Sequence, residues 1–358
     1  MNSREQQVTA PARVDFAAKT KLRAGIVGAG LMGRWHAYAI QRSGAEVVAV
    51  ADPDIASAQS LAAKYPKAKA FSSLEEMLTV RNLDVLHVCS PTDTHASISE
   101  TGIKAGVHLL VEKPIAITAD ETMRLYGLAA KDGARLCPVH QFPFQNGVEK
   151  AVRNMPSIGD LTHLEANICS AGGGGVDHPE HLDSIAVSIL PHPLSLIQKF
   201  IDHNISAIQW SILRPANGEI RISGQINRIS ISISISMNSR PTLNTFRLNG
   251  TRGTIHIDLF HGYSFIESGQ TSRMTKLTHP FTLAMKSFAA AATNLSRRTL
   301  RREPAYPGLQ QLVQQFYHSI KFKTPIPIDP SDTIAIAEVC DLLIAQAGIK
   351  QYSESFGK

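Results

Sequence analysis

The sequence is short of the residues that staple or anchor a chain. Its four cysteines, Cys89, Cys137, Cys169 and Cys340, lie far apart, with no CxxC pair and no His/Cys pair at zinc spacing. That excludes a disulfide scaffold and a zinc module, and points to free thiols in a reducing compartment, the cytoplasm. No run of about 18 apolar residues occurs, so no transmembrane segment is expected. Residues 1–21 carry Arg4, Arg13, Lys19 and Lys21 but no apolar core, so they read as a flexible N-terminal extension and not as a secretory signal. The net charge of +6 over 358 residues is mild and lacks the concentrated patch that a nucleic-acid partner needs. Nor is there an internal repeat or a low-complexity tract, apart from one Ile/Ser strand and Gly172–Gly175.

What remains is ordinary globular composition, 43% hydrophobic and 18% charged, and a length that suits about two domains. The first third alternates short apolar runs with helical patterns. Candidate strands are Arg23–Val27, Glu46–Ala51, Asp84–Cys89, Val107–Val111 and Arg135–Val139. Periodic segments lie between them at Met32–Arg42, Ile55–Lys64, Leu74–Leu78, Ala96–Ala105 and Ala119–Lys131, the last opened by a Thr118/Glu121 capping box. Strand and helix in alternation predict a parallel, doubly wound sheet. The middle of the chain is strand-rich: Ser206–Arg214, Glu219–Ile226, Ile229–Met237, Thr242–Leu248 and Thr254–Leu259, followed by helices at Leu309–Phe322 and Ser331–Ala347. Ile229–Met237 alternates strictly, with Ile or Met on one face and Ser on the other. A mostly antiparallel sheet follows, apolar side on a helical layer. Its serine face is either solvated or joins a second copy of the chain.

Gly28-Ala-Gly30-Leu31-Met32-Gly33 fits GxGxxG between a strand and a helix, the context that the motif requires. The first glycine allows the turn, the second lets the backbone approach a pyrophosphate, and the third lets helix and strand pack closely. The helix N-terminus offers free N–H groups to the phosphates. Asp52 ends the second strand, where a carboxylate accepts the adenosine ribose hydroxyls and repels a 2′-phosphate, favouring NAD over NADP. Glu112-Lys113-Pro114 closes the fifth strand at the ligand crevice. A lysine beside a cationic nicotinamide suits a general base. Ser90-Pro91-Thr92-Asp-Thr-His95 leaves the fourth strand at the same edge, placing Thr92 on the nicotinamide side and His95 at a helix start.

Together GAGLMG with His36 beyond it, Asp52, SPTDTH and Glu112-Lys113-Pro114 resemble the glucose–fructose oxidoreductase / inositol dehydrogenase / MocA family. The likeness runs over residues 22–350 and includes Gly250–Asp258 and the Gln315-Phe-Tyr … Pro-Ile-Pro-Ile-Asp tail. It implies an NAD-binding Rossmann domain (residues 22–140) and a substrate-binding and dimerisation α+β domain (141–358) with a large, mostly antiparallel open sheet. It also implies hydride transfer between NAD(H) and a sugar, cyclitol or sugar nucleotide; the serine face of the sheet suggests a homodimer or homotetramer joined through it. On this scheme Gly28, Gly30, Leu31, Met32 and Gly33 hold the pyrophosphate, and Asp52 the ribose. Ser90, Pro91, Thr92, His95 and Glu112 line the nicotinamide side, and Lys113 takes the hydroxyl proton.

The family's Asp-x-x-x-His-x-x-Asp motif matches Ser188-Ile-Leu-Pro-His192-Pro-Leu-Ser195. His192 is kept, to bind the reacting oxygen. Both aspartates are serines, which hydrogen-bond but carry no charge. Pro191 argues against a continuous helix through His192. Upstream, Asp177, His178, His181 or Asp183 could replace the lost carboxylate or touch substrate; no third ligand supports a metal there. The lost aspartates leave a second reading open, a non-catalytic dinucleotide-binding regulator or scaffold on the same fold. A third, hydrolysis or elimination through transient oxidation, is also compatible. Residues 281–303 carry Lys286, Arg297, Arg298, Arg301 and Arg302 against Glu303 alone, with apolar residues between them. They form either a solvated basic face whose apolar side packs on the sheet, or an amphipathic basic helix that touches an anionic lipid or a nucleotide diphosphate.

Overall fold

The structure is a computed structural model that describes residues 21–170, 179–269, 273–303 and 305–349. Most of the N-terminal extension, and Gly172–Gly175, Asp177 and His178, lie outside the described residues.

The chain begins with β1 (Arg23–Val27), α1 (Leu31–Arg42), β2 (Glu46–Ala51), α2 (Ile55–Ala62), β3 (Lys69–Phe71) and α3 (Leu74–Val80). It continues with β4 (Val85–Val88), α4 (Thr92–Lys104), β5 (His108–Val111), α5 (Ala119–Asp132) and β6 (Leu136–Pro138). The six strands form one sheet in the order β3-β2-β1-β4-β5-β6, all pairs parallel. The strands are near-continuous apolar runs because helices cover both faces. The expected capping box is present: the Thr118 side chain accepts from the Glu121 N–H, and Glu121 Oε2 accepts from the Ile117 N–H. Gly133, at φ +70°, closes α5 in the left-handed region.

The second half holds α6 (Asn146–Asn154), β7 (Leu161–Cys169), α7 (Pro179–Ile189), α8 (Pro191–Phe200), β8 (Gln209–Ala216), β9 (Glu219–Ile226) and β10 (Ile229–Ser236). After these come β11 (Leu243–Gly250), β12 (Gly253–Asp258), β13 (Tyr263–Ser268), α9 (Arg273–Arg301), α10 (Leu309–Phe322) and α11 (Pro330–Ala347). The second sheet runs β13-β12-β11-β7-β10-β9-β8, antiparallel except where β7 meets β10. Alternation in β10 works as expected. Ile231, Ile233 and Ile235 are buried under the helical layer with residues of α7, α8 and α11, each stabilising the fold by roughly 1.5–3 kcal/mol. The serine side is polar: His163 bonds both Ser230 and Ser232 at 2.8 and 3.1 Å, and Ser236 donates to Glu219.

Two features depart from the pattern read in sequence. First, α10 packs in the core of the first sheet: Leu309, Leu312, Val313, Phe316, Tyr317 and Ile320 sit with Leu22, Ile26 and Ile40. Second, α9, against the edge strand β13, is inverted. The expected apolar-side packing on the sheet is confined to half-buried Leu283, Ala290 and Ala291. Leu277, Phe281, Met285, Phe288 and Leu295 point outward, 67–76% exposed, and Asn294 is buried instead. The helix is held to the sheet edge by polar groups of its inner side, so its apolar side has no core to meet.

Candidate active site

The turn after β1 is shaped by backbone contact. Gly28 has φ +96°, and a Cβ there would meet the Cys89 carbonyl oxygen at 2.5 Å. A Cβ on Gly33 would strike the Gly28 carbonyl oxygen, so only glycine lets α1 leave this close to β1. Gly30 differs: nothing lies within 4 Å of the position its Cβ would take. Gly30 caps α1 without a side-chain bond, and no acidic residue occupies the first turn. Free N–H groups therefore face open space at a helix N-terminus, as a pyrophosphate requires. Leu31 is exposed and Met32 half-buried at the same turn.

Asp52 follows β2. Its Oδ2 accepts from the Ala29 N–H at 2.7 Å and its Oδ1 from the Asp54 N–H at 2.9 Å. The carboxylate thus orders the glycine turn, and stays half-exposed at the strand end where a ribose would lie.

At the ends of β4 and β5 the structure places the other predicted residues. The Ser90 hydroxyl accepts from Thr94 Oγ1 at 2.7 Å, Pro91 is exposed and caps α4, and Thr92 opens that helix. His95 is buried, with Nε2 and Nδ1 each 2.8 Å from a carbonyl, those of Ser90 and Pro114. Both ring nitrogens are engaged, so His95 braces one crevice loop against the other, and its ring is not a ligand contact. The Lys113–Pro114 peptide is cis.

Glu112 ends a buried polar chain. Its Oε1 lies 3.0 Å from His36 Nε2, His36 Nδ1 lies 2.8 Å from His87 Nδ1, and His87 Nε2 lies 2.7 Å from the Tyr317 hydroxyl. Glu112 Oε2 accepts from the Lys113 N–H at 3.2 Å. Burial pushes Glu112 upward, but the bond and charge of His36, with Lys113, outweigh it and hold the carboxyl below its usual range. Burial, then the neighbouring His36, pushes His87 well down. Burial, then Glu112, pushes the Cys89 thiol well up, so it stays protonated.

Lys113 Nζ donates to the Ser188 carbonyl at 3.0 Å. The helix breaks there as Pro191 requires: α7 stops at Ile189, and α8 restarts with Pro191 at its first position and His192 in its first turn. The ring of His192 stacks on Phe142, centroids 4.4 Å apart. Burial, then Lys113 and His140, push its pKa well down. His140, just beyond β6, is pushed down to about 4, by burial and then by Lys113. Two imidazoles held neutral therefore lie within the field of one amine. Both have a buried Nδ1 with no hydrogen-bond partner, as does the hydroxyl of Ser184. Such orphaned atoms cost about 1–3 kcal/mol each unless a ligand or water meets them. His140 and Ser184 border a cavity of about 420 Å³ lined also by Thr92, Pro114, Ser188 and Pro191, with an apolar wall from α11.

The serines in place of the family aspartates turn away from the amine. Ser188 Oγ donates to the Ile185 carbonyl and Ser195 Oγ to the His192 carbonyl, each at 2.8 Å. Asp183 does not replace the lost carboxylate: its two oxygens accept from Arg214 and from the Gly218 N–H, at 2.5 and 2.8 Å. His181 lies half-buried on α7. Among the described residues no cluster of His, Cys, Asp and Glu could hold a metal, and no helix is long and apolar enough to cross a membrane. His140, Phe142 and His87 stand outside the sequence motifs, and Tyr317 lies in the Gln315-Phe-Tyr segment, which points to no role for it. For His140 a signal existed, since it follows β6 at the crevice edge as Ser90 follows β4 and Lys113 follows β5.

A parallel sheet in this order, with a ligand-ready glycine turn beside its centre, is a doubly wound dinucleotide fold. Residues 22–140 match the family described as "Oxidoreductase family, NAD-binding Rossmann fold". The chain is similar to inositol 2-dehydrogenase of Salmonella paratyphi B, 27% identical over 192 residues, 53% of this chain and 54% of that protein. The chain thus spans about half the length of that relative. Two solved structures share the fold. UDP-N-acetylglucosamine 3-dehydrogenase GnnA from Acidithiobacillus ferrooxidans superposes with a TM-score of 0.70 at 18% identity, covering 91% of this chain and 98% of that one. The WlbA dehydrogenase from Bordetella pertussis, in complex with NADH and UDP-GlcNAcA, gives 0.72 at 18% identity, covering 92% and 96%.

Proposed function

We propose that the chain is an NAD(H)-dependent oxidoreductase that moves hydride between the nicotinamide and a hydroxyl or ketone of a sugar, cyclitol or sugar nucleotide. One observation carries this: the Lys113 charge acts on two buried imidazoles, His140 and His192, whose Nδ1 atoms have no partner, at the strand ends that face the dinucleotide crevice. NAD, when bound, supplies the hydride acceptor. Gly30 and the N–H groups of Leu31, Met32 and Gly33 cradle its pyrophosphate. Asp52 takes the ribose and disfavours NADP. Ser90, Pro91, Thr92 and Glu112 shape the nicotinamide side, and His95 keeps that side rigid. Lys113 accepts the substrate hydroxyl proton at Nζ during oxidation and returns it during reduction. His192, fixed on Phe142, orients the reacting oxygen, and His140 takes a further hydroxyl. Because Ser188 offers only its carbonyl to Lys113, the amine works against a backbone dipole where the family has a carboxylate. His178, His181 and Ser188 complete the substrate side.

In this reading residues 22–140, with the returning α10, hold the cofactor, and the sheet unit within 141–358 holds substrate. The polar serine face of β10 supports a homodimer or homotetramer joined through that sheet. The four free thiols support a reducing, cytoplasmic setting. The second reading, a dinucleotide-binding regulator or scaffold, draws on Ser188 and Ser195, whose hydroxyls are spent within their own helices.

The test pairs NADH and NADPH titration by nicotinamide fluorescence with turnover of a panel of inositols, hexoses and UDP-sugars. Lys113→Ala should still bind NADH and lose about 10²–10⁴-fold in kcat. Turnover within about tenfold of wild type removes Lys113 from the proton transfer. Tight NADH binding with no turnover of any panel member supports the regulator.

A further inference from the structure

Helix α9 is built the wrong way round for a surface helix. An amphipathic helix ordinarily turns its apolar stripe to the core. Here Leu277, Phe281, Met285, Phe288 and Leu295, three, four or seven residues apart, are 67–76% exposed, with Ala284 and Ala292 between them. The inner side is bound by polar groups, beside half-buried Leu283, Ala290 and Ala291. His279 pairs with Glu267 at 3.0 Å, Lys286 donates to the Ile266 carbonyl at 3.0 Å, and Asn294 and Arg298 donate to the His261 carbonyl at 2.9 and 3.0 Å. These bonds fix the rotation of the helix, so the apolar stripe is held outward.

Charge identifies what covers the stripe. The 29-residue helix carries six Arg and Lys and no Asp or Glu. Six of the 36 basic residues lie here, which leaves 30 against 30 Asp and Glu in the rest of the chain. The whole net charge of the molecule therefore sits on one helix. A second copy would set one acid-free basic helix against another. An anionic surface satisfies both halves of the helix, Phe and Leu entering the acyl boundary and Arg and Lys reaching acidic headgroups. With six charges the helix is not apolar enough to span.

We propose that α9 docks the protein flat on an anionic lipid surface through Leu277, Phe281, Met285, Phe288 and Leu295. This stands apart from the redox reading, because none of these residues borders the crevice. The experiment uses the full chain with vesicles of phosphatidylcholine alone and of phosphatidylcholine mixed with phosphatidylglycerol, at low and high salt, read by co-sedimentation. Wild type should pellet with the mixed vesicles at low salt, and weakly with the neutral ones. Removing charge by Arg301→Gln should lower partitioning roughly fivefold. The double variant Phe281→Gln/Phe288→Gln should lower it about tenfold or more while keeping its melting temperature, since both rings are exposed. Failure of wild type to pellet with the mixed vesicles overturns the proposal. So does a wild-type solution oligomer that this double variant reduces to a smaller species by light scattering, which assigns the stripe to a second copy.

Discussion

Gly30 and Gly33 sit three residues apart and should respond oppositely to the same methyl group. At Gly30 the φ is −66°, a value any residue adopts, and nothing protein-borne lies within 4 Å of a new Cβ. Gly30→Ala should leave the melting temperature unchanged or slightly raised, because alanine restricts the unfolded chain by about 0.4–1 kcal/mol. Yet the methyl occupies the space where a pyrophosphate approaches the backbone. Overpacking costs about 1–3 kcal/mol, so NADH affinity should fall about 5- to 150-fold. At Gly33 the methyl would meet the Gly28 carbonyl oxygen, with its carbon 3.0 Å away. Both are backbone, so α1 must separate from β1, and Gly33→Ala should lower the melting temperature as well as binding. NADH fluorescence titration beside thermal denaturation separates the two effects. If Gly30→Ala binds NADH as wild type does, the open space at that turn is not a pyrophosphate site, and the reasoning fails.

Three further outcomes follow from the polar groups. His108 is pushed down to about 4, by burial and then by Arg135, and its Nδ1 accepts from the Arg135 N–H at 3.0 Å. Unfolding therefore takes up a proton, and the stability His108 contributes is present above pH ~6.5 and lost as pH falls toward about 4; urea midpoints at pH 7 and 5 measure it, and His108→Gln should flatten the slope. Tyr317→Phe removes the only hydroxyl bonded to His87 Nε2 and should cost about 1–3 kcal/mol in urea denaturation, with NADH affinity kept within about threefold. Asp52→Ala frees the Ala29 N–H and removes the ribose acceptor, so it should weaken NADH more than NADPH; a purely structural carboxylate would weaken both alike.

Much of the cofactor half was legible because its signals are local. β1, β2 and the span of α10 match the sequence reading, since an apolar run or a 3.6-residue period survives burial on both faces. β7 was not marked, although Leu164, Ala166 and Ile168 alternate with His163, Glu165 and Asn167. Its strand character depends on partners β10 and β11, which lie more than 60 residues further on. The inversion of α9 is hidden from the sequence for a related reason. Amphipathicity gives the width of an apolar stripe but not its direction, which is decided here by a few polar bonds to β13 and its flanking turn. Lys113 and His192 could be named from motifs, whereas His140 could not. A single buried histidine carries no periodic signature; only its place after β6 hints at a role, and the folded packing shows that its Nδ1 lacks a partner.

The placement of α10 bears on how the chain comes off the ribosome. Its six apolar residues fill the core that Leu22, Ile26 and Ile40 open, nearly 300 positions earlier. The nucleotide-binding half therefore cannot complete its core while it is being synthesised. It must wait, with an apolar groove unfilled beside α1, until the sheet half has been made and residue 322 has left the exit tunnel. A fragment ending near residue 140 would keep that groove open and tend to aggregate, so the two halves mature together although their sheets are separate.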